Sequence, residues 1–289
     1  MGVPADLPVV DHHCHLSATG EGVEAVRRFQ KAGGTHLFLA TQQYGPGPPR
    51  SVEEYGRQFE QTEALARRAG ELGVTAYPVV APYPIDLVTL ATTTGIPEAV
   101  RLQEAALDLA GSWVREQRAV ALGEVGRPHF PVPPAVQEAC QAVLVHALEV
   151  ARDVGCPAVV HCEDLDAQGF RGLSELAAQV GFPVTRLVKH YARTWVAPEG
   201  RAGVTPSFLA SRPLVRESLS DPGPWFWETD FLDDPRRPGA VLDLATVPRR
   251  AALVASAGPE GVERLRIPFE SSVRSVYGFT PVVGARGAP

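Results

Sequence analysis

Short apolar, β-branched runs recur along this chain, and the segments between them carry apolar residues at helical spacing. Residues 9–16 form the first such run and read as a buried strand. Residues 23–32 follow as an amphipathic helix stopped at Gly33-Gly34. Residues 35–41 read as strand two, and 42–49, broken by Gly and Pro, as a loop. Ser51 opens a long helix as its N-cap, with Glu54 as the capping-box partner, and the helix runs to about residue 72. Strand three covers 75–81. Pro82 and Pro84 open a second loop before a helix at 97–117. Then come strand four (119–125), a helix (134–154) ended by Gly155, strand five (157–162), a helix (172–180) and strand six (186–191). Strand seven is 203–208, with Pro206 removing one ladder N–H. Strand eight is 225–231, a last helix covers 248–257, and the tail over 281–289 reads as loose.

Eight strands alternating with helices predict an α/β fold, a closed (β/α)8 TIM-type barrel rather than an open sheet. The 289 residues suit a single barrel domain, and no linker or repeat divides them. Hydrophobic residues make up 45% of the chain and charged residues 21%, which is ordinary for a globular protein. No apolar run approaches the roughly 20 residues of a membrane span. The N-terminus lacks the basic-then-apolar layout of a signal peptide. A cytoplasmic protein without membrane contact is therefore expected, and nothing implies a protein partner. Cys14, Cys140, Cys156 and Cys162 form no CxxC pair, so free thiols in a reducing compartment are expected. The net charge of −6 shows no basic patch for nucleic acid, although a metal centre would supply positive charge locally.

Candidate chemistry gathers at strand ends, where the active face of such a barrel lies. Strand one carries Asp11-His12-His13-Cys14-His15. Strand four ends in Gly123-Glu124-Val125-Gly126, strand five in His161, strand six in Lys189-His190, and strand eight in Glu228-Thr229-Asp230. Alternation along a strand puts Asp11, His13 and His15 on one face and His12 and Cys14 on the other, away from the site; Cys162 and Lys189 are set aside by the same rule. Buried charges are costly unless paired or bound to metal. Six such groups, His13, His15, Glu124, His161, His190 and Asp230, predict a metal site. Four imidazoles and two carboxylates suit two divalent ions better than one, with Glu124 placed to bridge. Imidazoles favour Zn or Mn, and carboxylates admit Mg.

These pieces, in this order, resemble the TatD family of metal-dependent hydrolases, a family of the amidohydrolase superfamily; the characterised members of the TatD family are often deoxyribonucleases. The resemblance implies a (β/α)8 barrel in which His13, His15 and Asp230 hold one ion and His161 and His190 the other. Glu124 would bridge, and Asp230 would orient the attacking water and take its proton, so Asp230 and Glu124 are the catalytic candidates. The chain departs from the family's pattern in three places. Gly126-Arg127-Pro128-His129 replaces a Gly-Leu-Asp segment, Tyr191-Ala192-Arg193 follows the strand-six His, and Asp233-Asp234-Pro235-Arg236-Arg237-Pro238 replaces an Asn-Pro segment. This marks a divergent branch. Arg127, His129, Tyr191 and Arg193 are candidates to meet a substrate phosphate or carboxylate, or are solvated rim. Asp11 and Glu228 stand behind the ligands, either orienting an imidazole or satisfied in the core. Arg236 and Arg237 are expected to pair with Asp233 and Asp234, and His36 and His146 to be structural. The resulting expectation is a dinuclear hydrolase of phosphoesters, DNA ends among them, that uses a metal-activated water. The alternative is an amidohydrolase or lactonase acting on a small molecule, and a metal-holding protein without turnover is the remaining rival.

Overall fold

The computed structural model describes residues 2–43 and 45–284. Its elements run β1 (Val10–His15), α1 (Val23–Lys31), β2 (His36–Ala40), α2 (Val52–Glu71), β3 (Thr75–Val80), α3 (Asp86–Thr94), α4 (Ile96–Arg115) and β4 (Ala121–Gly126). They continue with α5 (Pro134–Val154), β5 (Ala158–His161), α6 (Ala167–Gln179), β6 (Leu187–Ala192), β7 (Thr205–Leu209), α7 (Arg212–Ser218), β8 (Phe226–Glu228) and β9 (Phe231–Leu232). Helices α8 (Thr246–Ala255), α9 (Pro259–Arg266) and α10 (Ser272–Tyr277) complete the chain. Every strand pairing is parallel, in the order β8-β7-β6-β5-β4-β3-β2-β1-β9. β8 and β9 are two pieces of the expected eighth strand, parted at Thr229-Asp230. The first piece pairs with β7 and the second with β1, so the ring closes as a (β/α)8 barrel. Among the described residues no helix is long and apolar enough to cross a membrane.

The apolar strand runs are buried on both faces, as parallel strands in a barrel must be. Phe38, Tyr77, Val79, Ala121, Val159, Val188 and Phe226 pack together with Leu265, Phe269 and Val276 from the C-terminal helices. A larger layer, with Leu122, Val160 and Leu187 on the strands and Phe59, Trp113 and Leu144 on the helices, lies between strands and helices. Ser51 caps α2 as expected, its side chain accepting from the Glu54 N–H at 3.3 Å. The Glu54 carboxylate reaches the Arg50 N–H instead of closing the box on Ser51. Helix α3 was not expected from its β-branched Thr-rich sequence. Tertiary contacts decide it: Leu87 and Leu90 are buried, and Asp86 Oδ2 accepts from the Tyr55 hydroxyl of α2 at 3.1 Å. α9 and α10 extend beyond the last expected helix, and Tyr277 and Phe279 bring rings under the barrel against Phe38 and Tyr77. Of the tail expected to be loose, residues 281–284 form no helix or strand, and 285–289 lie outside the described residues.

The ladder is irregular at three places, between Asp11 and Cys14, between Gly123 and Val125, and between Lys189 and Ala192. Each spans residues singled out for chemistry. At the first, the simple alternation fails. Cys14 faces outward, with Phe38 O accepting from its thiol, but His12 turns into the barrel. Its ring stacks on Phe226 at 3.8 Å, and its nitrogens meet Ser207 Oγ (3.1 Å) and Tyr277 Oη (2.8 Å).

Candidate metal centre

The six strand-end groups meet at the barrel mouth. Glu124 Oε1 lies 2.9 Å from His13 Nε2, 3.1 Å from His190 Nε2 and 3.6 Å from His15 Nε2, while Oε2 lies 3.6 Å from His161 Nδ1. Asp230 Oδ1 stands 3.6 Å from His15 Nε2 and 3.7 Å from His13 Nε2. His13, His15, Glu124 and Asp230 form one group of donor atoms, all within 4.8 Å of one another, Glu124, His161 and His190 form a second, and His190, Glu228 and Asp230 a third. Glu124 belongs to the first two. One carboxylate oxygen with two lone pairs here faces three imidazole nitrogens, more than it can accept from. Cations among them would satisfy all of these donors at once, so the residues present fit divalent ions. The fit agrees with the order of burial. Glu124, His13 and His190 are almost wholly covered, while the side chains of Asp230, at 18% exposed, and His161, at 12%, are open to incoming solvent.

Local backbone aims these groups. The bulge at Gly123–Val125 inserts Glu124 into the barrel mouth, as bulges re-aim side chains beside active sites. Asp230 and Tyr191 hold positive φ angles of 47° and 52°, a left-handed conformation that side chains other than Gly, Asn and Asp seldom adopt. The Asp230 N–H donates to His13 O at 2.9 Å, which ties one donor strand to the other.

Electrostatics follow the geometry. Burial alone would raise the Glu124 carboxyl, but His190, His161, His13 and His15 hold it well below the usual range. Burial would lower His15, but Asp230 and Glu124 hold it up to about 10. Burial, together with the neighbouring His13 ring, pushes His190 well below its ordinary value. His190 Nδ1 faces Glu228 Oε1 at 3.4 Å, and the same oxygen accepts from Tyr191 N–H at 2.7 Å. Glu228 thus backs an imidazole in the site. Asp11 does not. Its carboxylate accepts from Thr229 N–H (3.0 Å), Thr229 Oγ1 (2.6 Å) and His13 N–H (3.3 Å), and it joins strand one to strand eight. Burial raises its pKa to about 7.

A cavity of about 410 Å³ opens above the donors. His129, Tyr191 and Arg193 line it, and Arg127 is not among its lining residues. The Arg127 guanidinium turns away to Glu163 through two bonds of 3.0 and 2.6 Å. Arg236 and Arg237 line the cavity while pairing with Asp234; Asp233 instead accepts from the backbone of Ser17, Glu21 and Gly22. Sequence reasoning missed Tyr83 and Asp164. The Tyr83 ring meets His161 edge-on at 5.5 Å, and Asp164 accepts from Arg193 N–H at 3.0 Å. Their positions just past strands three and five were the available signal. Lys189 is buried and donates to the carbonyl of His190, and His36 and His146 lie away from the cavity.

A family model described as TatD related DNase matches residues 10–278. The uncharacterized protein MJ1127 of Methanocaldococcus jannaschii is 34% identical over 256 residues, covering 86% of this chain and 88% of that protein. The crystal structure of YjjV, a TatD homologue from Escherichia coli K12, superposes with a TM-score of 0.61 at 16% identity, covering 93% of this chain and 98% of that one. A phosphotriesterase homology protein from Escherichia coli, complexed with phosphate in its active site, follows at TM-score 0.53 and 11% identity, covering 95% and 99%. The two structural likenesses agree on the barrel. The family match spans every strand whose end contributes a donor, and by it the chain belongs to the TatD-related DNase family of metal-dependent hydrolases.

Proposed function

We propose that this chain is a dinuclear metal-dependent phosphoesterase acting on phosphodiesters, DNA ends among them. The observation that carries the reading is the sharing of Glu124 between two donor groups, with Oε1 facing His13, His15 and His190 and Oε2 facing His161. His13, His15 and Asp230 would hold one ion, His161 and His190 the other, and Glu124 would bridge. When bound, the ions, such donors being suited to Zn, Mn or Mg, would supply positive charge at a phosphoryl oxygen and make a nearby water more acidic. The partly exposed Asp230 carboxylate orients the attacking water and accepts its proton. Glu228 stands 3.4 Å behind Nδ1 of His190, whose Nε2 faces Glu124. Arg193 and Tyr191, its ring beneath the guanidinium at 5.2 Å, present a cation and a hydroxyl to the substrate at the cavity wall.

Ion-loaded protein should release nucleotides from DNA or hydrolyse a bis-aryl phosphate. Asp230→Asn should lower that rate by roughly 10²–10⁴-fold, the contribution of a positioned base, with the circular dichroism spectrum unchanged. Inert ion-loaded protein on every phosphoester would overturn the reading. One observation favours a second reading, hydrolysis of a lactone or amide. The guanidiniums of Arg236 and Arg237 both lie on the Asp234 carboxylate, and Asp164 adds a further carboxylate to the wall. That lining suits a less anionic substrate, and a lactone and amide panel separates the two.

A further inference from the structure

His129 stands outside the donor groups, yet it touches one of their members directly. His161 Nδ1 points into the centre, 3.1 Å from His190 Nε2 and 3.6 Å from Glu124 Oε2. The opposite nitrogen, Nε2, lies 3.0 Å from His129 Nδ1. A neutral imidazole carries one N–H, and the nitrogen without it is the one that binds metal. If Nδ1 of His161 is to offer its lone pair inward, the proton sits on Nε2, and His129 Nδ1 is placed to accept it. The loop that carries His129 is fastened to the same stretch of chain. Gly126 is paired with His161 in the sheet, Arg127 N–H donates to His161 O at 2.9 Å, and the Arg127 side chain grips Glu163. Residues 126–129 are thereby held against 161–163 by main chain and side chains together.

We propose that His129 is a positioning residue, which accepts the His161 Nε2–H and so fixes the tautomer that leaves Nδ1 free for an ion. The inference rests on the metal reading above and reassigns a residue that the sequence pointed toward substrate. Hydrogen-bond partners of this kind are typically worth roughly 10–100-fold in metal affinity. Since His129 is exposed and water can take over part of its role, the low end, about tenfold, is expected here.

The test titrates ion-free protein with Co²⁺ alone, followed by its visible absorption, for the unmodified chain, His129→Phe and His129→Asn. The Phe variant keeps a ring without an acceptor, and the Asn variant returns an amide oxygen near Nδ1. One of the two binding steps should loosen about tenfold in His129→Phe and recover in His129→Asn, with the unfolding midpoint of the ion-free protein unmoved. Native affinity at both steps in His129→Phe would overturn the proposal, and more so if its KM for a bis-aryl phosphate rises, which marks a substrate contact. Equal loosening of both steps, or an earlier ion-free unfolding, would overturn it as well. An unmodified chain that takes up no ion would sink the metal reading itself, whereas two native steps in the variant sink only this inference.

Discussion

Gly126 has a φ of +143°, and a Cβ placed on it would lie 1.9 Å from the carbonyl oxygen of His161. Neither the conformation nor the approach admits a side chain, and the obstructing atom is backbone. Gly123, on the other side of Glu124, is hemmed at 2.8 Å by both Val79 and Val159. Gly126→Ala should therefore push β4 from β5 and displace both Glu124 and His161. A loss of roughly 3 kcal/mol is expected, in the range of severe backbone and packing defects, read from urea unfolding of ion-free protein, together with weakened ion uptake. Stability within about 0.5 kcal/mol of the unmodified chain would contradict this. The residue identities at this scale were legible in the sequence: a carboxylate between glycines in an apolar strand, and imidazoles at strand ends. Their contacts were not. The Arg127–Glu163 pair turns on how a loop folds back over the neighbouring strand, which spacing does not encode.

At the scale of elements, the strands were readable from apolar runs, but each ladder irregularity was not. Period-two alternation assigned His12 to the outside, and the bulge between Asp11 and Cys14 brought it in. Helix α3 was hidden for the opposite reason: weak local propensity was outweighed by burial and by a bond from another helix. Burial of the carboxyl that accepts this bond sets a measurable pH dependence. Burial raises the Asp86 carboxyl from 3.8 to about 7, with Tyr55 opposing, and Gln103 of α4 donates to the same Tyr55 hydroxyl at 2.9 Å. The folded state thus holds a proton that the unfolded chain releases near pH 4. The stability this confers is complete below about pH 4, falls as pH rises, and is gone above about pH 7. The span is at most about 4 kcal/mol at 1.36 kcal/mol per unit. Asp86→Asn should flatten that decline, seen as a smaller change in melting temperature between pH 4 and 7. An unchanged slope would remove Asp86 as its source.

For the molecule as a whole, strand eight binds β7 through one piece and β1 through the other, and Asp230 stands between them. Donors drawn from strands one, four, five, six and eight make the centre a cross-brace of the barrel. Ions that bind only the folded chain add RT ln(1 + [L]/Kd), about 2.7 kcal/mol at a hundredfold excess over Kd. Chelation should accordingly lower the melting temperature by several degrees, and Zn²⁺ or Mn²⁺ should restore it. A melting temperature indifferent to chelator and to every divalent ion would mean that the cluster holds none.

The gap at Thr229-Asp230 gives this bracing a direction. There the ring is fastened by the Asp11 carboxylate on Thr229 and by the Asp230 amide on His13, in place of a continuous run of ladder bonds. Whatever tugs on Asp230 from above, whether cation, water or leaving group, also tugs on the clasp that joins the first strand to the last. An ion held by Asp230 would therefore couple filling of the mouth to closure of the ring, each favouring the other.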